Sequence, residues 1–192
     1  MRIFTTLALF IALIGTTSSA QTGHGAYAAA VIKSGSIIGQ NSIIAGGRAG
    51  WEISGGFFLG GAFYSLVNKV ETNEVDPLSG RRLQAGFNCG GLEIEYLYPS
   101  KSFLHGSILF FMGGGGLKPK VQDSSIPHAG YYGQSLLIWE PQLSLEADLT
   151  RLLHLGLGLS YRYVTGMDGY IGLQNKDLSS LNSLFTLRLG VH

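Results

Sequence analysis

The sequence predicts an all-β fold: an eight-stranded antiparallel up-and-down transmembrane β-barrel, preceded by a cleaved signal peptide. Three observations carry this expectation. Apolar and polar residues alternate with a period of two after residue 20, as in "LIWEPQLSLEADL" (137–149), and that period belongs to strands. The connections alternate between very short and long, the habit of barrels with short turns at one end and longer loops at the other. The oily strand faces are backed by faces rich in glycine, of which the chain has 29. Composition agrees: 45% of the 192 residues are hydrophobic and only 13% charged, about half the usual charged share. A disordered chain would carry more charge and fewer aromatics. A formal charge of +1 offers no basic field, so nucleic acid is not an expected partner. The single Cys89 excludes an intrachain disulfide framework.

Residues 1–20 read as the signal peptide: Arg2 supplies the positive start, "LALFIALIG" a short apolar core, and Ser18 and Ala20 the small residues before a cut. Without Arg2 the remainder holds equal numbers of basic and acidic residues. Residues 21–192 then form one barrel domain. The first strand is expected over 25–35, the second over 42–53 and the third over 56–68, with a tight Ser54-Gly55 turn between the last two. A charged loop, 69–80, leads to the fourth strand, 81–98. There the apolar residues change phase, from Leu83, Ala85, Phe87 and Cys89 to Leu92, Ile94, Tyr96 and Tyr98. One inserted residue near Gly90-Gly91, a glycine bulge, would produce that change. The fifth strand spans 103–116, the sixth 137–149, the seventh 154–166 and the last 179–191. The first connection, near 36–41, is of middling length. "GGGGLKPK" (113–120) lacks the ending of a phosphate loop and reads as a strand end entering the outer loop 117–134. Pro141 has no N–H for the ladder, so a bulge is expected there.

The seventh strand identifies the outer face. Leu153, Leu155, Leu157, Leu159, Tyr161 and Tyr163 share one side; His154, Gly156, Gly158, Ser160 and Arg162 share the other. Glycine on a solvent-facing strand face costs stability without return. Inside a narrow barrel, small residues permit tight curvature and leave room for long polar ones. The oily side therefore faces lipid. In 137–149 Leu143 and Leu145 point outward, and Glu140, Gln142 and Glu146 point inward. Tyr27, Trp51, Tyr96 and Tyr98, with Phe57 and Phe103, stand beside the short turns, and Trp139, Tyr161 and Tyr163 at the opposite ends. These are two aromatic bands suited to the two interfaces.

The interior is expected to hold Arg48, Glu52, Glu93, Glu95, Glu140, Glu146, Arg162 and Arg188. Paired carboxylates such as Glu93 and Glu95 can do acid–base chemistry. Charges at low dielectric need partners, so an ion-pair network is the reading adopted. Eight strands enclose a lumen that their own side chains fill, so no open pore is expected. The five histidines show no metal-ligand spacing, and neither a metal nor a cofactor is expected.

The signal peptide, "AGGRAGWEI", "GGLEIEYLY", "IWEPQLSLEADLTRLLHLGLGLSYRYV" and the closing "SLFTLRLGVH" together resemble small bacterial outer-membrane β-barrel proteins, the OmpA/OmpX-like eight-stranded group, along the whole chain after residue 20. The resemblance implies the outer-membrane barrel fold, an architecture that carries adhesins, structural anchors and lipid enzymes alike; the expected function is an integral outer-membrane protein with a structural or surface-interaction role, not an enzyme. It implies as partners outer-membrane lipid and lipopolysaccharide and the barrel assembly machinery, with no particular surface ligand indicated. The chain ends in Val191-His192, where the family usually places an aromatic. His105 and Ser107 in "LHGS" are similar to the histidine and serine of lipid A deacylases of this barrel size, but the surrounding residues do not match that family and the sequence assigns no oriented acid to them. A barrel enzyme acting on lipid A is therefore the alternative, and a soluble periplasmic β-protein with a lipophilic ligand the second.

Overall fold

The computed structural model describes residues 25–75, 80, 82–98, 103–121, 133–167, 169 and 172–190. The signal peptide, most of the loop 117–134 and the terminal Val191-His192 lie outside them. The strands are β1 (Ala26–Ile37), β2 (Gln40–Ser54), β3 (Phe57–Leu66), β4 (Glu71–Val75), β5 (Arg82–Leu97), β6 (Leu104–Val121), β7 (Gln134–Asp148), β8 (Leu153–Thr165) and β9 (Ser180–Gly190), with one helical turn, α1 (Asn175–Leu178), before β9. Neighbours in sequence pair antiparallel, except β3 and β4. β3 pairs with β5 and β1 with β9, so eight strands close into a barrel. The short β4 extends the edge of β5 beyond β3, pairing Glu71 with Gln84 and Val75 with Arg82. The expected charged loop 69–80 therefore contains a strand.

The turn 55–56, the facing ends of β5 and β6 and the connection 149–152 lie at one end. The facing ends of β3 and β5, of β6 and β7, and of β8 and β9, between which the longer connections run in sequence, lie at the other. The first connection belongs to this second end, but it is only Ile38-Gly39, with φ of 54° and 67°, rather than a loop of middling length. Both residues are left-handed, which matches the twist of a two-residue hairpin. A β-branched residue there costs roughly 1–2 kcal/mol. Ile38 is held by its N–H, which donates to Asp177 O at 2.6 Å, and by packing on the interior apolar cluster.

Three irregularities differ from expectation. β5 has no bulge at Gly90-Gly91: Gly90 pairs with Gly114, Gly91 with Gly113 and Leu92 with Met112 in unbroken register. Glycine is needed there for close approach instead, because a Cβ on Gly91 would stand 2.2 Å from Met112 O. The apparent phase change is a change in what the lumen contains. Leu83, Ala85, Phe87 and Cys89 face inward along with Glu93, Glu95 and Leu97. Pro141 likewise makes no bulge. The β7–β8 ladder skips Glu140 and Pro141 and resumes in the same register, so the missing N–H leaves a gap and no insertion. β2 is irregular elsewhere, between Glu52 and Ser54, just before the turn to β3. "GGGGLKPK" is strand, because β6 runs to Val121.

The outer wall is hydrocarbon. Leu92, Ile94, Ile108, Leu143, Leu145, Leu157, Leu159 and Leu181 are each more than half exposed. A contiguous apolar surface of this kind needs a partner other than water.

Candidate functional site

The lumen is the part of the molecule where charge and close packing meet. Among the described residues its buried ions are Lys33, Arg48, Arg162 and Arg188 against Glu93, Glu95, Glu140 and Glu146, a balanced set. Period-two alternation brings them inward from six strands. Arg188 on β9 binds Glu146 at 2.8 Å and, by the other terminal nitrogen, Glu95. Arg48 on β2 lies 3.9 Å from Glu93, 3.5 Å from Glu95 and 3.8 Å from Glu146. Two guanidinium groups thus serve three carboxylates, a geometry to which the planar fork of arginine is suited. The Arg188 guanidinium also lies 4.0 Å from the centre of the Tyr27 ring, within cation–π range. Glu140 forms a second group: it accepts from Lys33 Nζ at 2.8 Å and Ser160 Oγ at 2.6 Å. Lys33 lies over the Tyr64 ring, whose hydroxyl donates to Glu93 at 2.7 Å.

Toward the long-loop end the lumen becomes apolar. Ile37, Ile44, Val70, Phe87, Phe111, Leu117, Ile138 and Val164 pack with Met167, Leu173 and Leu178 from the connection around α1. Arg162 holds this cap in place. Its Nε donates to Leu178 O at 2.8 Å, and one terminal nitrogen donates to Ser36 O at 2.9 Å and Ser180 Oγ at 3.0 Å. Ser179 Oγ accepts from Val164 N–H, and Asn175 Oδ1 from Met167 N–H. The connection is thereby stitched into the barrel mouth.

Six of the eight residues expected in the network are brought together in these groups: Arg48, Glu93, Glu95, Glu140, Glu146 and Arg188. Two are not. Arg162 satisfies carbonyls and a hydroxyl rather than a carboxylate, because its level of the lumen is the apolar one. Glu52 lies at the opposite mouth, where it accepts from the backbone of Gly25 and Gly56. Lys33 was not anticipated: its inward companions Tyr27, Ala29 and Val31 are mostly apolar, so alternation on β1 does not signal an interior charge. Of the expected aromatic bands, Trp51, Tyr96, Tyr98, Trp139, Tyr161 and Tyr163 stand on the outer face. Tyr27 does not. It is buried in the lumen against Phe58 with ring centres 5.6 Å apart, because odd positions of β1 point inward.

His105 and Ser107 both face inward but do not form a nucleophile–base pair. Ser107 Oγ donates to Glu146 at 3.4 Å, and His105 Nε2 meets Asp148 Oδ1 at 2.9 Å. His154 Nδ1 meets the same oxygen at 2.5 Å. Sequence spacing gave no sign that residues 105, 148 and 154 converge.

These features define a closed, eight-stranded antiparallel β-barrel with a hydrocarbon outer wall and a charged interior, the architecture of small outer-membrane barrels. Its fold is similar to that of Neisserial surface protein A, with TM-score 0.60 and 13% identity over 88% of this chain and 97% of that one. It is also similar to the N-terminal β-barrel domain of Pseudomonas aeruginosa OprF, with TM-score 0.53 and 11% identity over 85% and 96%. Ail, the attachment invasion locus protein of Yersinia pestis, gives TM-score 0.52 and 8% identity over 88% and 99%. No family model matches the chain, and no curated protein does.

Proposed function

We propose that the chain is an integral protein of the bacterial outer membrane, exported by a cleaved signal peptide over residues 1–20, with a structural or surface-interaction role. It is not an enzyme, and its lumen is filled by its own side chains. The observation that carries this reading is the inverted distribution of polarity: leucine and isoleucine exposed around the wall, four cations and four carboxylates buried within. Lipid is the medium in which that distribution is favourable. Among the described residues, buried ions that neutralise one another and a cap of phenylalanine, isoleucine and leucine occupy the lumen, which supports a closed barrel. Outer-membrane phospholipid and lipopolysaccharide contact the wall, and the barrel assembly machinery inserts it. A surface role fits the long connections at one mouth, and Ail, which has a similar fold, bears the name attachment invasion locus protein.

Cysteines at Ser79 and Ser125 in a Cys89→Ala background are expected to react with an impermeant reagent on intact cells, whereas one at Ser100 stays protected. The purified barrel is expected to show no porin-sized conductance steps in a planar bilayer. Labelling at Ser100 alone inverts the orientation. Reproducible large channels move the function to transport.

A further inference from the structure

We propose that His105, Asp148 and His154 form a divalent transition-metal site, of the zinc class, at the short-turn mouth of the barrel. The three residues come from adjacent strands, β6, β7 and β8. Asp148 and His154 are direct cross-strand partners, and His105 approaches from the other side of β7. Their nitrogen and oxygen ligand atoms all lie within 4.8 Å of one another. Tetrahedral coordination with bonds of about 2.0–2.1 Å needs ligand atoms roughly 3.4 Å apart. Side-chain rotation therefore suffices, with the strands fixed by their ladders.

The donor set selects the ion. Two imidazoles and one carboxylate suit zinc, copper or nickel, whereas calcium and magnesium require oxygen ligands. Each imidazole now directs a ring nitrogen at one carboxylate oxygen. Metal binding replaces those hydrogen bonds, and each neutral ring coordinates through a lone pair while its N–H moves to the other nitrogen. For His154 that nitrogen, Nε2, lies 3.4 Å from Gly190 O, an acceptor of the kind that orients metal-bound histidines. Both rings are buried, but the Asp148 carboxylate is 33% exposed, so an ion has a route in and a water can fill the fourth position. Glu146 nearby is already held by Arg188 and does not compete.

The test uses the folded barrel in detergent, stripped with chelator. Zinc added alone is expected to bind at one ion per chain by native mass spectrometry and to raise the unfolding temperature by several degrees, while magnesium leaves it unchanged. Cobalt(II) is expected to give the intense visible bands of a four-coordinate site. Asp148→Asn and His154→Gln are each expected to weaken zinc binding by more than about tenfold, whereas His128→Ala leaves it unaltered. Absence of a stoichiometric ion in the wild type overturns the proposal, as does wild-type zinc affinity in both ligand variants. Should either variant fail to fold, the wild-type cobalt spectrum decides: octahedral, weak bands overturn the site.

Discussion

Inside one barrel, Arg48, Arg188, Glu93, Glu95 and Glu146 meet as ions, while Phe87, Phe111, Leu117 and Ile138 meet as hydrocarbon. Both regions exclude solvent, but they fail in different ways. In the ionic region each member is held by the charge of the others, so deleting one leaves a desolvated partner uncompensated. In the apolar region the loss scales with the volume removed and with how far the neighbours relax. The ionic half therefore demands particular residues, whereas the apolar half demands a shape.

The largest expected effect is in the ionic half. Arg188→Ala strands Glu95 and Glu146 against Arg48 alone and is expected to cost about 3–5 kcal/mol, measured by urea unfolding in lipid vesicles. A loss below about 1 kcal/mol would collapse the contrast. Ile138→Ala in the apolar half is expected to cost about 2–5 kcal/mol. The two residues share no partner, so the double variant is expected to be additive within about 0.5 kcal/mol. Strong coupling would show that the halves are one unit.

Leu157→Arg puts a charge on the outer wall without any partner and is expected to cost about 2–4 kcal/mol near mid-bilayer. The loss should fall when the same variant is unfolded from thinner bilayers that bring the side chain nearer an interface. Arg162→Met removes the donors to Leu178 O, Ser36 O and Ser180 Oγ and is expected to cost about 1.5–3 kcal/mol. Its signature is faster protease cleavage within 166–179 while the rest of the barrel stays resistant. The smallest effect is at Ile38: Asn relieves the left-handed strain but gives up packing, so the net change is expected to stay within about 1 kcal/mol in either direction.

The strands and their faces were legible because alternation is a local property. In 137–149 and 42–53 alternation marks the apolar wall, and Glu140, Glu146 and Arg48 could be turned inward from the sequence; the inward Ile138 and Ile44 are the apolar exceptions. β5 misled for the same reason. Leu83, Ala85, Phe87 and Cys89 look like lipid-facing residues when the interior is taken to be polar throughout, and a bulge then has to be invoked. Nothing local to β5 shows that its half nearest the long connections looks into a cap made by Ile37, Val70, Leu173 and Leu178.

What the sequence by itself determined is the period of two, the outward leucines and the inward ions, since a strand allows each residue only two directions. Which ions pair was decided in the tertiary structure. Arg188 reaches Glu95 across 93 residues of chain, and that meeting depends on barrel closure and register. The same closure put Arg162 among carbonyls, Tyr27 under a guanidinium and His105, Asp148 and His154 at one mouth. Those contacts depend on how strands stagger around a ring, and alternation along a single strand carries no information about stagger.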